Sequence, residues 1–486
     1  MRLPHRLVHL PLRILSFPAA RALLLCSALW LLAFSYGRLF LWRDPHSAYF
    51  RSDSVYDLDY SAARQREARD FIAQVTREAN ATTTSDTNTD DGGDDGGEGV
   101  KQTKTRFLKT GPSPAICAAF VTVRRDAPAA RLYLQDALGS MLAGLDPRER
   151  AALNVSLLFA NTDPARHPDW KAPWVGALAD VAAGYTGLTD LQRAGLRKAE
   201  EERDLQLKGV FDYLYVLERC LQETAAPFVA VFEDDVVFAA DWMARTMRGL
   251  QWLVRDYKPA EGEEDKEWLY LRLFYTETHL GWYSEDDWWY RHLPLTLVLA
   301  AAGTAGFLLM LRLLRCGTRL RLDWATIAVV SLLVAPGFTV LAFMAGKHNL
   351  PLPGYSLQHE LPFVVSGGVV PMDKHGCCTQ ALVFHRPALP PLMEYLRKRE
   401  RGQTDTMIEE YCDATGVKRF ALGEQAVQHV GLVSSRGMAA VDTRSVWAFW
   451  FEANKPDEVE KRHRETVEEV DWAMLDMLSA SGKQGG

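Results

Sequence analysis

Three long apolar stretches interrupt a chain that otherwise alternates between short apolar and polar segments. They cover residues 22–42, 293–311 and 325–346, and each approaches the roughly 20 apolar residues that a helix needs to cross a bilayer. Arg38 lies near the end of the first stretch, where its long side chain can reach the lipid headgroups. We predict a retained signal anchor at 22–42 and a membrane hairpin at 292–346. The alternatives are a cleaved signal peptide and a helical hairpin buried in a globular domain.

Arginine placement predicts the orientation of these segments. Four arginines precede the first stretch and four lie between the second and third, namely Arg2, Arg6, Arg13, Arg21, Arg312, Arg315, Arg319 and Arg321. Positively charged residues flank membrane spans on the cytoplasmic side. We therefore expect residues 1–21 and the loop 312–323 in the cytosol. The chain is therefore expected to be a multi-pass membrane protein whose remaining residues lie in a lumen.

The luminal segments have the pattern of an α/β protein. Residues 43–106 predict a stem with a helix at 59–79 and a flexible Asp/Gly-rich linker at 80–99. Apolar runs predict strands at 115–123, 154–163, 227–238, 267–277, 361–370 and 379–386. Helical periodicity predicts helices at 129–143, 197–223, 405–412 and 456–478. Because strands and helices alternate, we expect a largely parallel sheet in a domain whose two parts are 107–291 and 347–486.

Composition excludes some classes. With 486 residues, 55 Lys and Arg against 62 Asp and Glu, and a net charge of −7, the chain is not a basic nucleic-acid binder. Seven cysteines are too few for a disulfide-built scaffold. We expect Cys377 and Cys378 each to pair with Cys220 or Cys412, and Cys117, in a buried strand, to stay free. Sequons occur at Asn80 and Asn154.

An acidic triplet, Glu233, Asp234 and Asp235, follows directly on the apolar run of residues 229–232. Three carboxylates at the end of a buried strand repel one another and lose hydration unless a cation or ligand compensates. Ligands of α/β sheets bind at the carboxyl ends of strands, and Mg²⁺ or Mn²⁺ prefers oxygen ligands. The triplet therefore predicts a site for a divalent cation and a diphosphate. The alternative is a solvated turn or a helix N-cap.

The order of features resembles one enzyme family. The triplet resembles the DxD motif of nucleotide-sugar glycosyltransferases with the GT-A fold. The segments AAFVTVRR, VFEDDV, YLRLFYTET, GCCTQALVF and QHVGLVSS, arranged around an inserted hairpin, resemble the Golgi GPI-glycan N-acetylgalactosaminyltransferase family. The resemblance implies a GT-A-like domain, split by the hairpin, that transfers GalNAc from UDP-GalNAc to the mannose core of GPI anchors with inversion. QHVGLVSS also resembles the branching GlcNAc-transferases of N-glycans.

The resemblance also implies roles for residues of the donor site. Asp235 would ligate Mn²⁺ (or Mg²⁺), Glu233 would face the ribose or a metal-bound water, and Asp234 completes the triplet. His429 would contact the metal or phosphate, or else is a structural histidine. The turn at Arg124 and Arg125 would flank the uridine and diphosphate. Weaker donor-site candidates, with an ordinary helix surface as the alternative, are Lys208 and Asp212.

Inversion requires a carboxylate base for the acceptor hydroxyl. The candidates are Asp405, Glu409 and Glu410, of which the first two share one helical face. An N-cap is the alternative for Asp405, and a solvated surface is the alternative for the glutamates. The expected acceptors are GPI-anchored proteins or the GPI glycolipid at a Golgi bilayer. A branching N-glycan GlcNAc-transferase and an inactive luminal glycan-binding protein remain as alternatives.

Overall fold

The computed structural model describes residues 17–42, 47–51, 58–86, 110–125, 132–258, 267–276, 291–314, 323–346, 368–372, 378–431 and 447–481. The helices in chain order are α1 (Pro18–Phe40), α2 (Asp59–Asp86), α3 (Tyr133–Leu142), α4 (Pro147–Ala151), α5 (Pro173–Leu178), α6 (Asp190–Glu201), α7 (Leu205–Glu223), α8 (Trp242–Arg255), α9 (Leu293–Leu313), α10 (Trp324–Ala345), α11 (Leu389–Arg399), α12 (Thr404–Thr415), α13 (Pro456–Glu469) and α14 (Trp472–Ser481). The strands are β1 (Ile116–Thr122), β2 (Leu153–Phe159), β3 (Val181–Ala183), β4 (Phe228–Glu233), β5 (Val236–Phe238), β6 (Trp268–Arg272), β7 (Val369–Pro371), β8 (Ala381–His385), β9 (Lys418–Leu422) and β10 (Val427–His429).

The chain divides into a helical unit and a sheet unit. The helical unit comprises Met1–Tyr56 with Leu280–Gln358, and the sheet unit comprises Asp57–His279 with His359–Gly486. In the helical unit, α1, α9 and α10 are each long and apolar enough to cross a membrane, as the three apolar stretches predict. The indole Nε1 of Trp30 on α1 donates to the carbonyl of Gly337 on α10 at 2.9 Å.

Helix α10 contains a π-helical turn over Val330–Val334, directly before Pro336. Proline has no backbone N–H and therefore cannot bond to the carbonyl of Leu332, one turn earlier. The wider turn accommodates this interruption inside an otherwise continuous apolar helix.

The sheet unit is built on an eight-stranded sheet in the order β3-β2-β1-β4-β8-β6-β9-β7. Strands β3, β2, β1 and β4 are parallel, whereas β8 runs antiparallel to both β4 and β6, and β7 antiparallel to β9. The α/β class is therefore confirmed, but the sheet is mixed rather than largely parallel. Strands β6 and β8 are neighbours in the sheet although α9 and α10 lie between them along the chain.

Both faces of this sheet are buried, which explains the uninterrupted apolar runs in its strands. On β1, Ile116, Ala118 and Phe120 belong to one core cluster, which includes residues of α3 and α8. Cys117 and Ala119 point to the other cluster, which includes residues of α7, α11 and α12. The parallel strands β1, β2 and β4 therefore bring their carboxyl ends together at one edge of the sheet.

Several predicted elements are divided in two in the structure. The predicted strand 227–238 is two strands, because β5 leaves the large sheet and pairs antiparallel with β10. The predicted helix 197–223 is broken into α6 and α7 at Arg203, whose φ of 56° is left-handed. The predicted helix 456–478 is likewise two helices, α13 and α14. The first part of the predicted strand 361–370 lies outside the described residues.

Helix α2, predicted as part of a stem, packs within the sheet unit. Tyr60, Ile72 and Val75 are buried in the same core cluster as residues of α3. The helix continues to Asp86, so the first residues of the predicted linker 80–99 are helical, and residues 87–99 lie outside the described ones.

The cysteine pairing was predicted wrongly. Cys117 on β1 forms a disulfide with Cys220 on α7, with a Cα–Cα distance of 5.8 Å. Cys412 is a buried free thiol. Cys378 is disulfide-bonded to a partner outside the described residues, so it pairs with neither Cys220 nor Cys412. The prediction failed because α7 packs on the face of the sheet to which Cys117 points.

Candidate functional site

The acidic triplet lies where β4 ends at the carboxyl edge of the sheet. Glu233 is the last residue of β4, and Asp234 and Asp235 connect it to β5. Asp234 and Asp235 are only 3% and 4% exposed. The alternatives of a solvated turn and a helix N-cap are therefore wrong, because both aspartates are buried between two strands.

Glu233, Asp235 and His429 form a cluster that could hold a metal ion. One ligand atom from each of these residues lies within 4.8 Å of the others. His429 reaches the triplet because β10 pairs with β5, with His429 opposite Val236. Its Nε2 atom is 3.5 Å from Asp235 Oδ2.

The donor atoms of this cluster fit a divalent cation. Asp235 Oδ1 is buried and has no hydrogen-bond partner among the described residues. A buried carboxylate oxygen without a donor is costly, and a cation would satisfy it. The two carboxylates supply oxygen ligands of the kind that Mn²⁺ and Mg²⁺ prefer, and His429 adds a nitrogen ligand that transition metals accept. The residues present therefore fit the divalent cation that the sequence predicts.

Arg125 supplies positive charge to the triplet. Its guanidinium pairs with Asp234 through Nη2 and with Asp235 Oδ2 through Nη1, the latter at 2.9 Å. Burial alone would raise the pKa of Asp235, but Arg125 and His429 outweigh burial and hold that pKa below its usual range. Burial and the charge of Asp235 raise the pKa of Glu233 to about 7. Full ionisation of the triplet thus calls for more positive charge than Arg125 provides.

A cavity of about 960 Å³ opens in front of the triplet. Nine of the predicted site residues line this cavity, and they are Arg124, Arg125, Lys208, Asp212, Glu233, Asp234, Asp235, Asp405 and His429. They come from the ends of β1 and β4, the starts of α7 and α12, and β10. The fold therefore brings together residues that are far apart in the sequence.

Lys208 and Asp212 are not part of an ordinary helix surface, and that alternative is wrong. Both are buried, and Lys208 Nζ lies 2.8 and 2.9 Å from the two carboxylate oxygens of Asp212. Lys208 also donates to the carbonyl of Ala160 at 2.6 Å, just beyond the end of β2. The hydroxyl of Tyr185 bonds to the same carbonyl and to Asp212. This network ties the start of α7 to the edge of β2 that borders the cavity.

The three base candidates occupy different environments. Asp405, in the first turn of α12, lines the cavity, and the N-cap alternative is wrong because that position belongs to Gln403. Among the described residues that line the cavity, neither Glu409 nor Glu410 appears.

The two glutamates have other partners. Glu409 accepts from Tyr270 at 2.6 Å and pairs with Arg272 and Arg419 at 2.9 and 3.0 Å. Glu410 is exposed on α12 and pairs with Arg399. Only Asp405 of the three faces the space where substrates would bind.

Sequence reasoning missed three residues around the triplet, namely Thr122, His167 and Gly431. Thr122, at the end of β1, donates to Asp234 Oδ2 at 2.6 Å, and His167 lies 3.0 Å behind it. Of the two arginines of the predicted turn, Arg125 pairs with Asp234 and Asp235, and Arg124 lines the cavity. Gly431 leaves room for Asp235, because an added Cβ would lie 2.1 Å from Asp235 Oδ2. The pairing of β1 beside β4 could have indicated Thr122, whereas nothing local marks His167.

A mixed α/β sheet with an acidic pocket at its carboxyl edge, in a chain with three apolar helices, is consistent with a membrane-associated glycosyltransferase. The family model for GPI-N-acetylgalactosamine transferase PGAP4 matches residues 116–427. This match covers more than half of the chain, and the chain belongs to that family. It runs from the start of β1 to the first residue of β10, so it includes the triplet and Asp405. A search of curated proteins finds no significant match.

Proposed function

We propose that this protein transfers GalNAc from UDP-GalNAc to the GPI glycan in a metal-dependent, inverting reaction. Family membership supports GalNAc transfer to GPI. The observation that carries the finer proposal is the cluster of half-buried Glu233 with buried Asp235 and His429 at the wall of a large cavity. A cation held there would neutralise charge that develops on the departing diphosphate.

The chain's own residues would perform three tasks in this reaction. Glu233, Asp235 and His429 would hold the cation, and Asp235 would contribute the buried oxygen that lacks a protein donor among the described residues. Arg125, anchored to the triplet, adds fixed positive charge beside the diphosphate. Asp405 faces the same cavity from α12 and would accept the proton of the acceptor hydroxyl.

A donor assay tests the metal site. The purified protein with Mn²⁺ should slowly release UDP from UDP-GalNAc, and Asp235→Asn should reduce that rate by more than about 100-fold. Asp190→Asn is the matched control, because Asp190 is exposed at the start of α6. Wild-type UDP release by Asp235→Asn would refute the assignment.

A second comparison tests the base. Asp405→Asn should abolish transfer to a GPI acceptor while donor binding persists, because the carboxylate acts on the acceptor and not on the nucleotide. Glu410→Gln, on the same helix but exposed, should transfer at the wild-type rate. Equal transfer by the two variants would remove Asp405 from the mechanism. The β anomer of the product, measured by NMR, would report inversion.

We further propose that the sheet unit is a GT-A-like catalytic domain in the Golgi lumen, interrupted by the membrane hairpin 292–346. The parallel β3-β2-β1-β4 half with the triplet at its edge supports the fold. The neighbouring positions of β6 and β8 support the interruption. The arginines around the apolar helices support the orientation, and so does the disulfide Cys117–Cys220, since disulfides persist outside the reducing cytosol.

Glycosylation tests this orientation. Asn80 is an exposed sequon residue on α2, whereas Asn154 is buried on β2. We expect glycosidase treatment to shift the mobility of the wild-type protein, and Asn80→Gln to remove that shift. Asn154→Gln should leave the shift unchanged. Two results together would place the sheet unit in the cytosol. They are the absence of a glycan at Asn80 and digestion of the sheet unit by protease added from the cytosolic side.

A further inference from the structure

Asp234, the middle residue of the triplet, is held differently from its two neighbours. Its Oδ2 accepts from Thr122 Oγ1 at 2.6 Å and its Oδ1 accepts from Arg125 Nη2. The candidate metal cluster consists of Glu233, Asp235 and His429 and does not include Asp234. Both oxygens of Asp234 therefore already have protein donors.

A chain of hydrogen bonds with a fixed direction leads to Asp234 from the core. The backbone N–H of Asp169 donates to His167 Nδ1 at 3.1 Å, so Nδ1 is an acceptor and the neutral ring carries its proton on Nε2. Nε2 lies 3.0 Å from Thr122 Oγ1 and must donate to it. The single hydroxyl proton of Thr122 is then directed at Asp234. Each step thus fixes the direction of the next.

The surroundings keep this chain rigid and uncharged. Thr122 is 1% and His167 is 6% exposed, and the His167 ring packs edge-on against Phe159 with centroids 5.0 Å apart. Burial lowers the pKa of His167, which agrees with a neutral ring. The side chain of Asp169, whose backbone begins the chain, accepts from Gln135 at 3.0 Å.

The consequence reaches the cavity through Arg125. Because Thr122 occupies Oδ2 of Asp234, Arg125 is restricted to Oδ1 and uses its other nitrogen for Asp235 at 2.9 Å. The guanidinium also lies over the ring of Tyr133, 5.1 Å from its centroid. The bond to Asp234 would hold Arg125 at the wall of the cavity even if Asp235 ligated a cation.

We propose that Thr122 and His167 are positioning residues that orient Asp234 as the anchor of Arg125 rather than as a cation ligand, so that Arg125 stays in place for the diphosphate of the donor. This assignment rests on the proposed function, because it takes a nucleotide diphosphate as the ligand. Without the Thr122 hydroxyl, Asp234 can turn and take both guanidinium nitrogens, which withdraws Arg125 from the diphosphate.

The experiment measures UDP affinity and Mn²⁺ affinity separately on the purified full-length protein by calorimetry. Thr122→Val, a substitution of nearly equal size, should weaken UDP binding in the presence of Mn²⁺ by about tenfold or more. It should leave the dissociation constant for Mn²⁺ alone within about twofold of wild type, since the ligands are untouched. Thr122→Ser, which keeps the hydroxyl, should bind UDP with an affinity close to that of the wild type.

Two further variants keep the result interpretable. His167→Gln keeps a donor toward Thr122 and should bind UDP nearly as the wild type does, whereas His167→Phe should show the weakening of Thr122→Val. The His167 pair decides the question if Thr122→Val does not fold.

Three outcomes would contradict either the positioning role of Thr122 and His167 or the proposed function. Unchanged UDP affinity in Thr122→Val and His167→Phe would refute the positioning role. A parallel loss of Mn²⁺ affinity in these variants would make Asp234 a cation ligand instead. A wild-type protein that binds Mn²⁺ but no UDP would refute the proposed function itself, together with the ligand assumed for Arg125.

Discussion

Replacement of Gly431 by alanine should disable the cation site while the sheet unit stays folded. A Cβ added at Gly431 would lie 2.1 Å from Asp235 Oδ2 and 2.6 Å from Asp235 Cγ. Non-bonded carbon atoms pack at about 3.5–4.0 Å, so Asp235 Cγ would have to move by about 1 Å. Asp235 is buried and paired with Arg125. Any such movement would therefore take its carboxylate out of its present position.

The size of the effect follows from the tolerance of metal sites. Ligand distances hold to within about 0.2 Å, so a displacement of about 1 Å removes Asp235 from the ligand set or forces a different geometry. We expect the dissociation constant for Mn²⁺ to rise about 10- to 100-fold, which corresponds to about 1.4–2.8 kcal/mol. Overpacking of this kind costs about 1–3 kcal/mol of stability, which leaves a large domain folded.

Calorimetric titration with Mn²⁺ measures this affinity, and thermal unfolding confirms that the variant is folded. Gly195→Ala is the matched control, because an added Cβ there meets nothing within 4 Å on α6. That control should bind Mn²⁺ like the wild type and be about 0.5–1 kcal/mol more stable, since alanine favours a helix interior. Wild-type Mn²⁺ affinity in Gly431→Ala would refute the place of Asp235 in the site.

Two further predictions concern stability. Replacing both Cys117 and Cys220 by alanine should lower the free energy of unfolding by about 4–5 kcal/mol, because the bridge joins residues 103 apart. An unfolding transition that matches that of Cys412→Ala would contradict this prediction. Burial would lower the pKa of His463, but its 2.8 Å contact with Glu149 outweighs burial and raises it. The pair therefore stabilises the fold fully below the unfolded pKa of about 6.5 and less as pH rises through the folded value. The urea midpoint should fall over that range, and His463→Gln should flatten the fall.

The position of the triplet was predictable because its signal is local. The apolar run of residues 229–232 indicates a buried strand, and carboxylates directly after it must lie at the strand's carboxyl end. The break between β4 and β5 was not predictable in the same way. Residues 236–238 are as apolar as the strand before them, and only their pairing with distant β10 takes them out of the large sheet.

The burial of Lys208 and Asp212 shows where local spacing misleads. A lysine four residues before an aspartate is the ordinary pattern of an exposed helical ion pair. Here the partners that bury the pair, Ala160 and Tyr185, come from the end of β2 and the segment after β3. The same limit applies to His167 and Gly431, whose importance depends on atoms of residues far away in the chain.

The place of β8 in the sheet has a consequence for biosynthesis. This strand completes the ladder between β4 and β6, yet it follows both apolar helices in the chain. During synthesis β1, β2 and β4 can associate early, but the middle of the sheet must wait until α9 and α10 have been made. Such non-local pairing slows folding and leaves strand edges exposed in the meantime. Until β8 has been made, the edges of β4 and β6 that it joins therefore lack their partner strand.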